Sequence, residues 1–523
     1  MEVALTPLDF MRRARRLHGG REAVVDGAER WTYEAFGDRC DRWSSVLQEM
    51  GVGPGDRVAY IAPNSHAQLE AFYAVPQLGA VLVPLNFRLI ADDFRYLIQH
   101  SGAKVVCASG EYLAAVDSIR ASLPDVTHFV ALDSPRGDWV DYETLVAAAT
   151  ARFTRPEIGE RDLLTINYTS GTTSRPKGVM ITHRNAWMNC IGMLVHTPMT
   201  PRDRYLWTLP MFHANGWTFT WTVTAAGATH VCLPRLEPAS VFRLVKDERI
   251  TRLCAAPTVL IMLASAPAEV KAGLPRGVGV MTAGAPPAAV TIERIEGEMG
   301  WSVIQIYGLT ETAPAISICE PLPEHDALGG ADRARIKARQ GVELITSGEL
   351  RVVDEQGREV PADGASPGEI IARGNVIMAG YYNDPDATAK CMGDGWFHTG
   401  DAAGVHPGGY VPITDRLKDV IISGGENISS VEVEAMLLRH DAIQEAAVVG
   451  LPNDKWGETP HAFVVFKSGQ SATAEALREF CRANLAHFKV PHGFTPIAEL
   501  PKTATGKIQK YVLRQGRPNM TAQ

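Results

Sequence analysis

The sequence predicts an α/β fold. A large N-terminal domain of helix-covered sheets spans 1–415, with a β-rich subdomain near 345–415, and a small α+β domain occupies 416–523. Three observations predict it. β-prone runs alternate with helix-spaced segments through the first 310 residues, the texture changes to short strands and turns from Gly348, and a separate set of helices and strands begins near Asp415/Arg416. A chain of 523 residues has ample length for several cores.

In the first block, 56–61 reads as a strand after the Gly51-Val-Gly-Pro-Gly55 turn, 67–78 has helical spacing, and 81–85 is a buried strand. Segments 103–108 and 127–132 continue the alternation. The run 163–168 alternates as a strand, 179–182 is a second, and a helix starts near His183 with Thr182 as its cap. Strands are also expected at 205–210, 278–282 and 303–307. The later segments 349–353, 368–373 and 380–382 read as the β-rich subdomain. The C-terminal domain opens with a strand at 420–422 and a glycine turn. A helix follows, with Ser429 and Glu432 spaced as a capping box, and strands near 446–450 and 461–466 precede a helix at 473–485.

Composition narrows the class. Hydrophobic content of 46% and charged content of 21% are ordinary for a globular protein. The balance of 51 basic against 59 acidic residues, with no basic block, argues against nucleic acid. The eight cysteines are scattered without a C-x-x-C pair, which predicts free thiols and neither zinc nor disulfides. No secretory pattern and no long apolar run appear, so no membrane span is expected and the cytoplasm is the default location.

The stretch Tyr168-Thr-Ser-Gly-Thr-Thr-Ser-Arg-Pro-Lys-Gly178 carries the strongest chemical signal. Thr169, Ser170, Thr172, Thr173 and Ser174 supply hydroxyls, Gly171 lets the backbone approach closely, and Lys177 ends the loop with a cation. Such a nest of donors suits a polyphosphate. It is not a Walker A loop, because Lys177 is followed by Gly178 and a strand rather than by Ser/Thr and a helix. The Gly364-Ala-Ser-Pro-Gly368 run matches a nucleophile elbow by letter only, since a strand follows it and Pro367 stiffens a turn.

The loop resembles the phosphate loop of the adenylate-forming superfamily, which includes acyl-CoA synthetases, luciferases and peptide-synthetase adenylation domains. Further stretches match that family in order. By themselves His213 and Trp217 read as core packing, but Met211-Phe-His-Ala-Asn-Gly-Trp217 resembles the family's acyl-pocket motif, with Trp217 at the position of a gating tryptophan. The segment Gly284-Ala285-Pro286 resembles the one that flanks adenine. Tyr307-Gly308-Leu-Thr310-Glu311 follows a strand, where open α/β sheets bind ligands. The resemblance gives Tyr307 to adenine, Thr310 to the α-phosphate and Glu311 to Mg²⁺, which takes one or two carboxylates plus phosphate oxygens. Asp401 matches the ribose ligand, and Arg416 belongs to the same nucleotide site. By itself Lys507 is a solvated lysine, yet Pro501-Lys-Thr-Ala-Thr-Gly-Lys507 matches the family's last motif. The family carries Gly at the position of Ser174.

The resemblance implies a two-step reaction with ATP, Mg²⁺ and coenzyme A: a carboxylic acid becomes an acyl-AMP and then an acyl-CoA. Lys507, Thr310, Glu311 and His213 would be catalytic. The small domain would be mobile, with its hinge at Lys418 and with Gly424 and Gly425 on the path of the thiol. The partners are a small acid, ATP and coenzyme A, without nucleic acid or membrane; a homodimer is compatible with this. Coenzyme A is the expected acceptor because no carrier domain follows Gln523 and the 348–373 hairpin is tight. An acyl-AMP ligase that loads a carrier protein is the alternative, and a luciferase-like oxygenase is a weaker one. A nucleotide-binding protein without catalysis would be expected to lack Lys507 or Glu311. The closest signatures are those of ligases for medium-chain, branched or methylthio acids.

Overall fold

Residues 2–169, 176–417, 419–423, 426–453, 456–503 and 507–516 are described by a computed structural model. Two large sheets form the N-terminal part. A nine-stranded sheet has a parallel centre that runs from Ser302–Gly308 through Gly279–Thr282, Arg252–Cys254, Arg204–Leu206 and Thr229–Val231 to Glu22–Asp26. An eight-stranded sheet has Leu163–Thr169 pairing antiparallel with Lys177–Thr182, so residues 170–176 join two adjacent strands. The predicted α/β class holds, with helices packed on the sheets.

Local sequence explains most boundaries. Helix His183–His196 begins where expected, because the Thr182 hydroxyl accepts from the Asn185 N–H at 3.2 Å while Asn185 Oδ1 accepts from the Thr182 N–H at 2.9 Å. The helix expected at 67–78 is His66–Ala74 plus a 3₁₀ turn at Pro76–Leu78, since a proline lacks the N–H that would continue it.

Two segments differ from expectation. The strand expected at 205–210 is only Arg204–Leu206, because the amide of Asn64 takes over the carbonyls of Trp207 (2.8 Å) and Leu209 (3.0 Å). Segment Gly380–Tyr381 does not join the β-rich subdomain. It adds an edge to the eight-stranded sheet, with Gly380 opposite Met180 and Tyr381 opposite Val179.

Four antiparallel strands, Glu349–Val353, Gly368–Arg373, Phe397–Ala403 and Ile413–Arg416, make a third sheet. A fourth sheet contains Ile443–Asn453 and Gly457–Phe466, packed against helices Ser430–Leu437 and Ala474–Asn484 over its own apolar core. Ser429 caps the first of those helices, but Glu432 completes no box: its carboxylate pairs with Lys489 at 2.7 Å. The main core lies under the two large sheets and includes Trp43, Trp207, Trp217 and Trp221. All eight cysteines are free, seven of them buried and Cys391 half-buried.

Candidate active site

Chemistry-bearing residues gather at the C-terminal ends of the parallel strands. Strand Ser302–Gly308 delivers Tyr307, whose hydroxyl donates to Asp401 Oδ2 at 2.7 Å, both side chains being buried. This bond joins the nine-stranded sheet to the β-rich one, since Asp401 lies on Phe397–Ala403 with its backbone opposite Arg416. Only glycine fits at 308: a Cβ there would meet the Pro314 carbonyl oxygen at 1.8 Å. That close approach folds the chain back so that Thr310 and Glu311 sit in a 3₁₀ turn just past the strand. Gly284 is exposed beyond strand Gly279–Thr282, and Ala285 and Pro286 are half-buried beside it.

Glu311 is the centre of a second group. Its Oε1 accepts from the Tyr381 hydroxyl at 2.9 Å, and the Lys177 ammonium stands 4.7 Å from the centre of the Tyr381 ring. A cation over an aromatic face is attracted by the ring quadrupole. One tyrosine therefore links Lys177, at the start of a strand of the eight-stranded sheet, to the carboxylate that follows Ser302–Gly308 of the nine-stranded sheet. Burial first, and the Glu311 charge second, push the Tyr381 hydroxyl pKa well up, so it remains a donor at neutral pH. The Glu311 carbonyl also accepts from the Met378 N–H at 2.9 Å. Thr169 Oγ1 lies 3.5 Å from the Lys177 carbonyl oxygen, at the mouth of the loop.

The third group spans the two domains. His213 is half-buried, and its imidazole is pushed down to about 4, by burial first and then by the positive charge of Lys507. The C-terminal domain therefore sets Lys507 within electrostatic reach of the acyl segment. The lysine stands at the end of a small loop, with its N–H donating to Thr503 Oγ1 at 3.1 Å. Trp217 is buried in the main core, 7% exposed.

The AMP-binding enzyme profile matches residues 10–382, and the profile of the AMP-binding enzyme C-terminal domain matches 432–507. The chain belongs to the AMP-binding enzyme family. It is 41% identical over 519 residues to 4-hydroxybutyrate–CoA ligase 2 of Metallosphaera sedula, covering 98% of this chain and 94% of that one. It is 40% identical over 540 residues to the peroxisomal acetate/butyrate–CoA ligase AAE7 of Arabidopsis thaliana, with coverage of 98% and 94%. A solved structure of ATP-bound MatB from Rhodopseudomonas palustris superposes with a TM-score of 0.85 at 27% identity, covering 98% of this chain and 100% of that one.

Several residues that the family resemblance singles out lie outside the described set: Ser170, Gly171, Thr172, Thr173 and Ser174 of the loop, the hinge Lys418, and Gly424 with Gly425. Arg416 is described only in its backbone. The decoy Ser366 is tied to Asp363 in an exposed turn, with its hydroxyl donating at 2.8 Å. Among the described residues no cluster of three or more His, Cys, Asp or Glu side chains could hold a metal alone. Glu311 nonetheless fits Mg²⁺, which accepts a single carboxylate when phosphate oxygens and water complete its shell. Also among the described residues, no helix is long and apolar enough to cross a membrane.

Tyr381 was not among the expected site residues, nor were Asn167 and Asn215, whose side chains hydrogen-bond to one another at 3.0 Å. The signals were present. Gly380-Tyr381 offered an aromatic ring on a short strand, and Asn215-Gly216 is the dipeptide that best tolerates left-handed backbone.

Proposed function

We propose that this AMP-binding enzyme is an ATP-dependent acid–CoA ligase acting on a short aliphatic acid. A carboxylate is a poor acyl donor because its leaving group would be oxide. In the first step a carboxylate oxygen attacks the α-phosphorus of ATP, the bond to pyrophosphate breaks, and an acyl-AMP forms. In the second step the thiol of coenzyme A, losing its proton, attacks the acyl carbonyl and AMP leaves. Phosphoryl transfer of this kind needs positioning and charge neutralisation more than covalent help.

The observation that carries the reading is the likeness over 98% of the chain to two CoA ligases, at 41% and 40% identity; the positive charge of Lys507 is also felt at His213 across the domain boundary. Lys507, on this reading, serves the junction of acid and α-phosphate, where negative charge concentrates during adenylation. On this reading Thr169 and Lys177, with the hydroxyls of 170–174, bind the β- and γ-phosphates. Thr310 meets the α-phosphate. Tyr307 lies along adenine with Gly284, Ala285, Pro286 and Gly308, and Asp401 with Arg416 takes the ribose side. Glu311 would hold Mg²⁺, which supplies charge neutralisation on the phosphate oxygens. His213, neutral at physiological pH, borders the carboxylate without competing for it as a cation, and Trp217 bounds the acyl pocket. For thiolysis Lys507 must withdraw, so the small domain turns near Lys418 and presents Gly424 and Gly425. The short acid is supported by the two ligases above, named for 4-hydroxybutyrate and for acetate and butyrate.

The test is a panel of aliphatic acids assayed for pyrophosphate with and without coenzyme A. A single turnover without the thiol and sustained turnover with it are expected. Pyrophosphate release that no acid stimulates would overturn the adenylation step. Acid-dependent release without acyl-CoA would overturn the acceptor.

A further inference from the structure

A run of left-handed backbone crosses the acyl segment. Ala214, Asn215, Gly216, Trp217 and Thr218 have φ of +45°, +57°, +58°, +52° and +64°. Each non-glycine residue in that region costs about 1–2 kcal/mol, and four of these five are not glycine. A Cβ on Gly216 would lie 2.4 Å from the Trp207 ring, so residue 216 is fixed by space as well as by conformation. Within the turn, the Gly216 N–H donates to the His213 carbonyl (2.9 Å) and the Thr218 N–H to that of Asn215 (3.1 Å). Strain of this kind persists only where surrounding contacts over-determine it, and it concentrates at functional sites.

The over-determining contact is a closed ring of hydrogen bonds. Thr165 Oγ1 donates to Asn167 Oδ1 (2.8 Å), Asn167 Nδ2 to Asn215 Oδ1 (3.0 Å), and Asn215 Nδ2 back to Thr165 Oγ1 (2.9 Å). All three side chains are buried, so removing any one leaves its neighbours short of a partner. Asn167 Nδ2 also reaches the Phe212 carbonyl at 3.4 Å, and Thr220 Oγ1 donates to the Asn215 carbonyl at 3.1 Å. Thr165 and Asn167 share one face of strand Leu163–Thr169, which runs directly into the phosphate loop. The ring thus fastens the turn that carries His213 and Trp217 to the strand that carries the loop.

We propose that Asn215 is a positioning residue. With Thr165 and Asn167 it holds the left-handed turn that sets His213 and Trp217 against the acid, and it ties that turn to the phosphate-loop strand. The inference rests on the acid–CoA ligase reading. A polar knot serving stability alone would use the same contacts but would not change how the acid is recognised.

Two variants separate these roles. Thr165→Val removes one hydroxyl from the strand with little change of shape, and Asn215→Gly removes the amide while leaving left-handed backbone accessible. Each is measured by hydrogen exchange over 211–219 and by acid-dependent pyrophosphate release across a chain-length series. Both variants should exchange faster in that peptide and raise KM for the acid about tenfold with kcat changed less than about threefold. Chain-length preference should broaden, and the double variant should be no worse than Asn215→Gly, because a ring breaks only once. Unchanged exchange over 211–219 would overturn the proposal. So would faster exchange with KM and chain-length profile unmoved, or effects that multiply in the double variant. If the wild type releases no pyrophosphate with any acid, the ligase reading fails, and hydrogen exchange still decides whether the ring holds the turn.

Discussion

Replacing Tyr381 by Phe tests whether the carboxylate of Glu311 needs to be held. The substitution deletes one hydroxyl and keeps the ring, so the Lys177 ammonium retains the aromatic face it lies over at 4.7 Å. Backbone pairing of Tyr381 with Val179 is untouched. What is lost is the 2.9 Å bond to Glu311 Oε1. A hydrogen bond to a charged group contributes roughly 1.5–3 kcal/mol. Because this pair is only half-buried, solvent recovers part of that, and about 1.4 kcal/mol, a tenfold effect, is the reasonable expectation. The freed carboxylate can swing toward Lys177, so the proposed phosphate-binding cation and the proposed metal ligand neutralise one another. The Mg²⁺ concentration giving half-maximal ATP binding, measured by calorimetry without acid, should rise about tenfold, within the range seen when the partner of a metal ligand is removed. The thermal midpoint should change little. An unchanged or lowered Mg²⁺ requirement in a folded Tyr381→Phe protein would refute the reasoning.

Lys507→Ala should abolish acyl-AMP formation while sparing thiolysis of supplied acyl-AMP; equal loss of both half-reactions would make the lysine structural. Trp217→Ala should cost about 3–5 kcal/mol of stability, as for other buried tryptophans, and should also favour longer acids; a stability loss with an unchanged chain-length profile would leave it a core residue only. Acid should destabilise the protein through His183 and His230, both fully buried and pushed down to about 4 and about 3, mainly by burial. The unfolded chain binds their protons from about pH 6.5 downward and the folded one does not, so their contribution is complete above pH 6.5 and falls by up to about 1.4 kcal/mol per pH unit for each until the folded values are reached. His66, pushed up to about 9 despite the opposing effect of burial because it bonds Asp26 and Glu143, acts the other way and only above pH 6.5. Urea midpoints at pH 7 and pH 5 check this, and a flat profile would contradict it.

The N-terminal elements were legible because their signals are local. Thr182 caps its helix through a residue three positions on, and the strands carry their own apolar alternation. Membership of the AMP-binding enzyme family was legible from ordered motifs rather than from periodicity. What escaped has a common cause in long-range pairing. The strand that ends early at Leu206 does so because of Asn64, far upstream in the chain. Gly380–Tyr381 looks like any short strand near a β-rich segment, and only its pairing with Lys177–Thr182 reveals that it edges the phosphate-loop sheet. The Thr165–Asn167–Asn215 ring joins residues about fifty positions apart, and no period within one segment announces it.

The same contacts constrain how the small domain can turn. A hinge at Lys418, as proposed, separates Thr414 and Asp415 from everything after it. Yet the Ser429 hydroxyl donates to the Thr414 carbonyl, and Asp415 Oδ2 accepts from both the N–H (2.7 Å) and the hydroxyl (2.6 Å) of Ser430. Lys510 extends the network, donating to the Ser430 hydroxyl and pairing with Glu434 at 2.8 Å. Asp415 is 3% exposed, so the two bonds from Ser430 are bonds to a buried carboxylate, each worth roughly 1.5–3 kcal/mol. A rotation about residue 418 large enough to exchange Lys507 for residues 424 and 425 cannot preserve all of them. On the proposed alternation the arrangement in which the charge of Lys507 reaches His213 is therefore a latched one, and a thiolysis arrangement would have to offset the broken bonds with contacts of its own. If the pivot instead lay before Thr414, the network would travel intact with the small domain, and the strand Ile413–Arg416 would have to leave its sheet. Pairing of Asp401 with Arg416 opposes that second route, because it would unzip Ile413–Arg416 from the strand that carries Asp401, the proposed ribose ligand.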